Sequence, residues 1–272
     1  MRAFEVSAFT KDGAGGNLAG VVVMDNLLSD SDKQAIAKKY GYSETAFIEV
    51  FEDNNFNVSF FTPTEEVDLC GHATIATFHV LKENGYINKE VAYQYTKAGK
   101  LKVLCNEKNV LMEMSKPIIH EDLDKVECAE ILGIESEKIV NIPKKIAVGL
   151  PDAMVIVNSN ETLKNLKVDF SRMIAYSNKH QMTGFHVCSI EKNKYYTRNF
   201  GPAVGIDEES ATGTASGSMY VYLQNKGYIK GNEEIHFLQG DIMDLPSEIV
   251  VKLEDETIWV GGQATIIKQL SI

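Results

Sequence analysis

Apolar and β-branched residues fall in short runs along this chain, rarely in long amphipathic stretches. The runs at residues 19–24, 45–50, 57–61, 110–114, 153–157, 185–190, 248–253 and 258–260 are each of strand length and are bounded by Gly, Asn, Asp or Lys. Helical spacing is confined to a few places. Ser29 or Asp30 is a cap for a helix reaching Tyr40, and residues 71–84, 170–179 and 213–225 read as further helices. So many strands with so few intervening helices argue against a βαβ parallel sheet. The pattern predicts an α+β protein whose mostly antiparallel sheets wrap around central helices.

An internal repeat refines that expectation. With the chain slid by 142 residues, Gly71 lies over Gly213, Ala73 over Ala215 and Leu81 over Leu223. The triplet Gly85-Tyr86-Ile87 lies over Gly227-Tyr228-Ile229, and Thr74 and Phe78 meet Ser216 and Tyr220. An aromatic strand precedes both copies, at residues 59–63 and 198–202. Two pseudo-symmetric halves follow, residues 1–118 and 119–272, each a sheet around one helix, with room for part of the chain end to pack on the first half.

Each copy is a turn of small residues feeding a helix. The first N–H groups of a helix lack intrahelical partners and carry partial positive charge. Small residues let a ligand approach that backbone. Gly71 and Ala73 in one copy, and Gly213, Thr214 and Ala215 in the other, are therefore candidates for binding a carboxylate. Ordinary capping by Thr and Ser is the competing explanation. The copies differ where chemistry would need them to: Cys70 and His72 become Thr212 and Thr214. A symmetric racemase with two thiols is thereby excluded.

Composition removes whole classes of partner. The formal net charge is -11 and no basic stripe is visible, so no nucleic acid and no anionic membrane surface is expected as a partner. The four cysteines, Cys70, Cys105, Cys128 and Cys188, form no CxxC and no disulfide framework. His79 lies two turns from His72, but with neither an HExxH pattern nor a third ligand no metal is expected. Gly13 to Gly16 leads into a strand, so it reads as a hairpin turn or lid and not a phosphate loop. Neither a leader-like start nor an 18-residue apolar span appears, and a cytoplasmic protein is expected.

Four stretches, in order, resemble the PhzF-like family of phenazine biosynthesis: residues 8–23, Ser43 to Ile48, Phe61 to Thr74 and Gly205 to Gly217. The resemblance implies the diaminopimelate epimerase-like fold, in agreement with the repeat. It also implies that Glu44, in the SET triplet, is the acid/base, with a role for His72. Glu209 corresponds to the acidic residue of the second motif and Thr214 to its serine, while Asn17 belongs to the N-terminal GN turn. Leu18 and Ser210 stand where many members have proline. Cys70 holds the place of a catalytic cysteine in related epimerases, and is either a second base or a small buried hydrophobe. Glu208 is the alternative to Glu209 if the register slips by one.

The expected function is cofactor-independent isomerisation of a small carboxylate-bearing substrate, similar to that of trans-2,3-dihydro-3-hydroxyanthranilate. Glu44 would move the proton in a cleft between the halves. An amino or hydroxy acid epimerase using Cys70, and a non-catalytic small-molecule-binding relative, remain as alternatives. A homodimer is compatible with both.

Overall fold

The computed structural model describes residues 1–51 and 53–271. The chain divides into two compact units, Met1–Glu113 with Gly261–Ile272, and Met114–Val260. The sequence placed the change of half at residue 118 and left the chain end open. The units change over after Glu113, and the strand Ala264–Leu270 pairs antiparallel with Arg2–Ala8 in the first unit.

In the first unit Arg2–Ala8 pairs antiparallel with Asn17–Val23, the Gly13–Gly16 segment forming the turn between them. Asn17–Val23 runs parallel to Thr45–Val50, which pairs antiparallel with Asn55–Phe61. Asn55–Phe61 runs parallel to Val91–Thr96, and antiparallel Gly99–Cys105 and Val110–Glu113 follow. The helix Gly71–Glu83 packs against strands from both ends of this order, so the sheet wraps it. Its residues from His72 to Phe78 are all buried, as are Val80 and Leu81. A helix buried all round belongs at the centre of a sheet and not on its surface. Phe78 meets Phe56 edge to face at 5.5 Å, and burying such a ring is worth about 2–3 kcal/mol.

The second unit repeats this order and these strand directions. Lys144–Val148 pairs antiparallel with Leu150–Val157, which runs parallel to Phe185–Glu191, which pairs antiparallel with Lys194–Gly201. Lys194–Gly201 then runs parallel to Ile235–Gln239, and antiparallel Ser247–Glu254 follows. The helix Gly213–Asn225 is buried from Ala215 to Leu223. The helices Lys125–Leu132, Asn160–Lys164 and Phe170–His180 cover a second layer, built on Ile131, Val155, Met173 and Phe185.

The repeat extends to individual hydrogen bonds. Thr74 Oγ1 donates to the carbonyl of Cys70 at 2.8 Å, and Ser216 Oγ to that of Thr212 at 2.8 Å. Ahead of the matching strands, Gly20 N–H donates to Glu44 at 3.1 Å and Ala153 N–H to Gly184 at 2.9 Å. Gly184 is therefore the second unit's counterpart of Glu44. A Cβ there would sit 1.7 Å from the Phe200 carbonyl oxygen, so no side chain fits. The pseudo-symmetry of the backbone stops at the acid.

Candidate active site

Glu44 ends the connection from the helix Asp30–Tyr40, immediately before the strand Thr45–Val50. Its carbonyl is fixed by Gly20, which pairs with Thr45 so closely that a Cβ would lie 2.7 Å from Thr45 Oγ1. Glycine at residue 20 thus sets how near the second strand comes to the base of Glu44. The following residues, Thr45, Ala46, Phe47 and Ile48, are fully buried, so the carboxylate stands at the edge of an apolar wall.

Glu44 Oε2 lies 3.2 Å from His72 Nε2, with the side chains 20% and 9% exposed. Oε2 itself is buried and has no aligned hydrogen-bond donor. The other imidazole nitrogen, Nδ1, lies 3.4 Å from Cys70 Sγ. Ser43 Oγ is 3.3 Å from Nε2. One imidazole therefore has the carboxylate at one nitrogen and the thiol at the other. In the Nε2–H tautomer it can donate toward Glu44 and accept from Cys70; in the Nδ1–H tautomer it donates toward the thiol and can accept from Ser43.

Cys70 is the N-cap of the helix, in extended conformation and with no side-chain cap bond. Its carbonyl accepts from both the amide and the hydroxyl of Thr74. Thr74 in turn meets the buried Gln94, whose amide nitrogen lies 3.3 Å from the hydroxyl. This chain locks the first turn, so the amides at Gly71, His72 and Ala73 are pre-set. Gly71 is half-buried and Ala73 fully buried. Asn17 pairs with Ala8 at the start of its strand and is half-buried.

Glu209, Gly213, Thr214 and Ala215 lie in the second unit. Glu209 Oε2 accepts from the Thr212 hydroxyl at 2.6 Å, and its carbonyl accepts from Gln239 Nε2 at 2.7 Å. The same Gln239 nitrogen reaches Thr212 Oγ1 at 3.1 Å. Glu208 instead forms a two-point ion pair with Arg198, at 2.8 and 2.7 Å. The two neighbouring acids are thus distinct in use, with Glu208 committed to Arg198 and Glu209 held at the helix start. Gln239 and Gln94, which organise the helix starts, were missed in the sequence; a glutamine inside an apolar strand was the available signal.

All four cysteines are buried, and among the described residues no disulfide joins them. Burial pushes the thiols of Cys105 and Cys128 up to about 12, far from reactivity. His79 is half-buried, and desolvation holds it below the ordinary histidine value. It is not part of the group around Glu44. No helix among the described residues is long and apolar enough to cross a membrane.

The family model described as "Phenazine biosynthesis-like protein" matches residues 6–269. The chain belongs to the phenazine biosynthesis-like family. Its relatives in this family include the "Uncharacterized isomerase YddE" of Salmonella typhimurium, 29% identical over 97% of this chain and 95% of that one. The "Uncharacterized isomerase YfhB" of Bacillus subtilis is 33% identical over 95% of this chain and 91% of that one. Among solved structures, the Bacillus anthracis phenazine biosynthesis protein of the PhzF family superposes with TM-score 0.88 at 26% identity, covering 100% and 98% of the two chains. A hydroxyproline epimerase from Agrobacterium vitis shares the fold, with TM-score 0.64 at 12% identity, covering 99% and 91%. The protein is thus an isomerase-family enzyme with the epimerase-like fold that the resemblance implied and that agrees with the repeat.

Proposed function

We propose that this enzyme moves a proton between carbon atoms of a small carboxylate-bearing substrate, with Glu44 as the acid/base and no cofactor. The observation that carries this is the buried Glu44 Oε2, without an aligned donor, 3.2 Å from His72 Nε2. A carboxylate whose lone pair is not consumed by the protein is available to take a proton. His72 is placed to orient it and to donate to a substrate oxygen as charge develops. The substrate carboxylate is assigned to the amides at Gly71, His72 and Ala73, with Asn17 as a further contact. The matching start at Gly213, Thr214 and Ala215 is assigned anion binding in the second unit, and Glu209 is assigned the substrate's amine or hydroxyl. Return of the proton by Glu44 to a different carbon gives isomerisation of the kind known for dihydrohydroxyanthranilate. Because one group takes and returns the proton, the step balances without any other reagent.

A second reading is favoured by Cys70 Sγ at 3.4 Å from His72 Nδ1. With Cys70 as a second base, protonation on the opposite face gives epimerisation instead. Glu44→Gln separates both from a binding-only protein. It is expected to fold as the wild type and to lose at least about a hundredfold in turnover, the usual weight of a general base. Wild-type activity in that variant would remove Glu44 from the mechanism.

A further inference from the structure

We propose that Glu44, Cys70 and His72 form a binding site for one thiophilic divalent cation, Zn²⁺ being the ion that fits. A carboxylate oxygen, a thiol sulfur and an imidazole nitrogen converge here with all three ligand atoms within 4.8 Å of one another. Glu44 Oε2 is 3.2 Å and Cys70 Sγ 4.0 Å from the same nitrogen, His72 Nε2. Tetrahedral zinc with bonds of about 2.0–2.3 Å holds such ligand atoms roughly 3.3–3.7 Å apart. The carboxylate–imidazole edge, at 3.2 Å, is just short of that range; Sγ, nearer Nδ1 at 3.4 Å, comes round to the Nε2 side by rotation of the Cys70 side chain.

Three further features point the same way. Glu44 Oε2 is buried without a hydrogen bond, so a cation would supply the partner that the protein does not. The ligand types are one soft, one borderline and one hard, a set that suits zinc and excludes magnesium and calcium. Cys70 is held by two bonds from Thr74 to its carbonyl, so the backbone that carries this ligand is fixed in advance while its thiol can turn. The three ligands leave a fourth position open, as in zinc sites that exchange water or a small anion. This grouping was not legible along the chain, because the ligands do not follow a spacing along one helix. His79 is not among them, and Glu44 comes from a separate strand end.

Metal binding of this kind stands without the proton-transfer reading. If that reading holds, Zn²⁺ occupies the lone pair Glu44 needs and acts as a reversible inhibitor relieved by chelation.

The test is titration of the full chain, without an affinity tag and after chelator treatment, with Co²⁺ by absorption and with Zn²⁺ by calorimetry. All proteins carry His236→Ala, because the exposed His236 sits between Glu234 and Glu248 and offers a surface alternative. One equivalent is expected to bind, with a thiolate-to-cobalt charge-transfer band. Cys70→Ser is expected to abolish the band, and Cys70→Ser and His72→Asn each to weaken Zn²⁺ by roughly a hundredfold or more. Glu44→Gln should weaken it while keeping the band. Absence of saturable one-to-one binding, or binding equally tight in Cys70→Ser and His72→Asn, would overturn the assignment.

Discussion

Glu44 and Gly184 occupy equivalent places in the two units, each accepting a hydrogen bond from the preceding parallel strand, yet only the first carries a side chain. The Phe200 carbonyl oxygen fills the space where a Cβ at residue 184 would go. The repeated backbone thus carries a carboxylate at one of the two places and is closed sterically at the other.

Gly184→Ala tests that closure. The added Cβ, 1.7 Å from a backbone oxygen, cannot be relieved by a side-chain rotation, so the strand pair must move. A loss of about 3 kcal/mol or more is expected, read as a lower urea midpoint. An unchanged midpoint would show that the strands here are not so closely paired.

Gly71→Ala separates binding from stability. Its Cβ would make only an ordinary contact, 3.8 Å from Met112 Cε, and alanine favours a helix. The melting temperature should hold or rise slightly, while KM for the substrate increases because the methyl group crowds the helix amides. A KM equal to that of the wild type would place the substrate carboxylate elsewhere.

Cys70→Ser decides between the two proton-transfer readings. Isomerisation by Glu44 alone predicts turnover within a few-fold of the wild type, since serine keeps the size and a hydrogen bond to His72. Epimerisation with Cys70 as second base predicts a loss of about a hundredfold or more. Steady-state kinetics on either class of substrate gives the answer.

The second unit buries an acid and a base whose effects on stability oppose one another. Burial pushes Asp152 up from 3.8 to about 6, against hydrogen bonds from Thr183 and Gly184. Burial pushes His186 down from 6.5 to about 4, only partly offset by its bond to Asn199. The contribution of Asp152 is complete below its unfolded value of 3.8 and is lost as pH rises through about 6. That of His186 is complete above 6.5 and is lost as pH falls through about 4. The two nearly cancel between about pH 4 and 6. Asp152→Asn should remove one side, so that its stability climbs with pH across this window by up to about 3 kcal/mol while the wild type stays nearly level. Urea midpoints across the window check it; a level profile in the variant would contradict the assignment.

The parts of the fold that were legible had local causes. The strand at residues 45–50 and the helix at 213–225 were readable to the residue, because burial on several faces makes their apolar runs continuous. The helix Lys125–Leu132 was missed although its Asp124 cap and Gly133 terminator were in plain view. Its short length and two acidic residues hid it. The strands Gly99–Cys105 and Ala264–Leu270 were missed because lysines and exposed positions break their alternation, and only pairing reveals them. At the site, Glu44, Cys70 and His72 were each named from motifs. Their convergence on one imidazole was not readable, since it depends on how the strand end at Glu44 meets the helix start. The sequence put Glu209 ahead of Glu208; in the structure Glu208 pairs with Arg198 and Glu209 accepts from Thr212.

Proton exchange in heavy water tests the central claim most directly. The wild type and Glu44→Gln would be incubated with dihydrohydroxyanthranilate, proline, diaminopimelate and common hydroxy acids, and carbon-bound deuterium followed by proton NMR. Deuterium entering one compound with the wild type and not with Glu44→Gln is the predicted result. Equal incorporation with both proteins would contradict the role of Glu44, whatever the substrate.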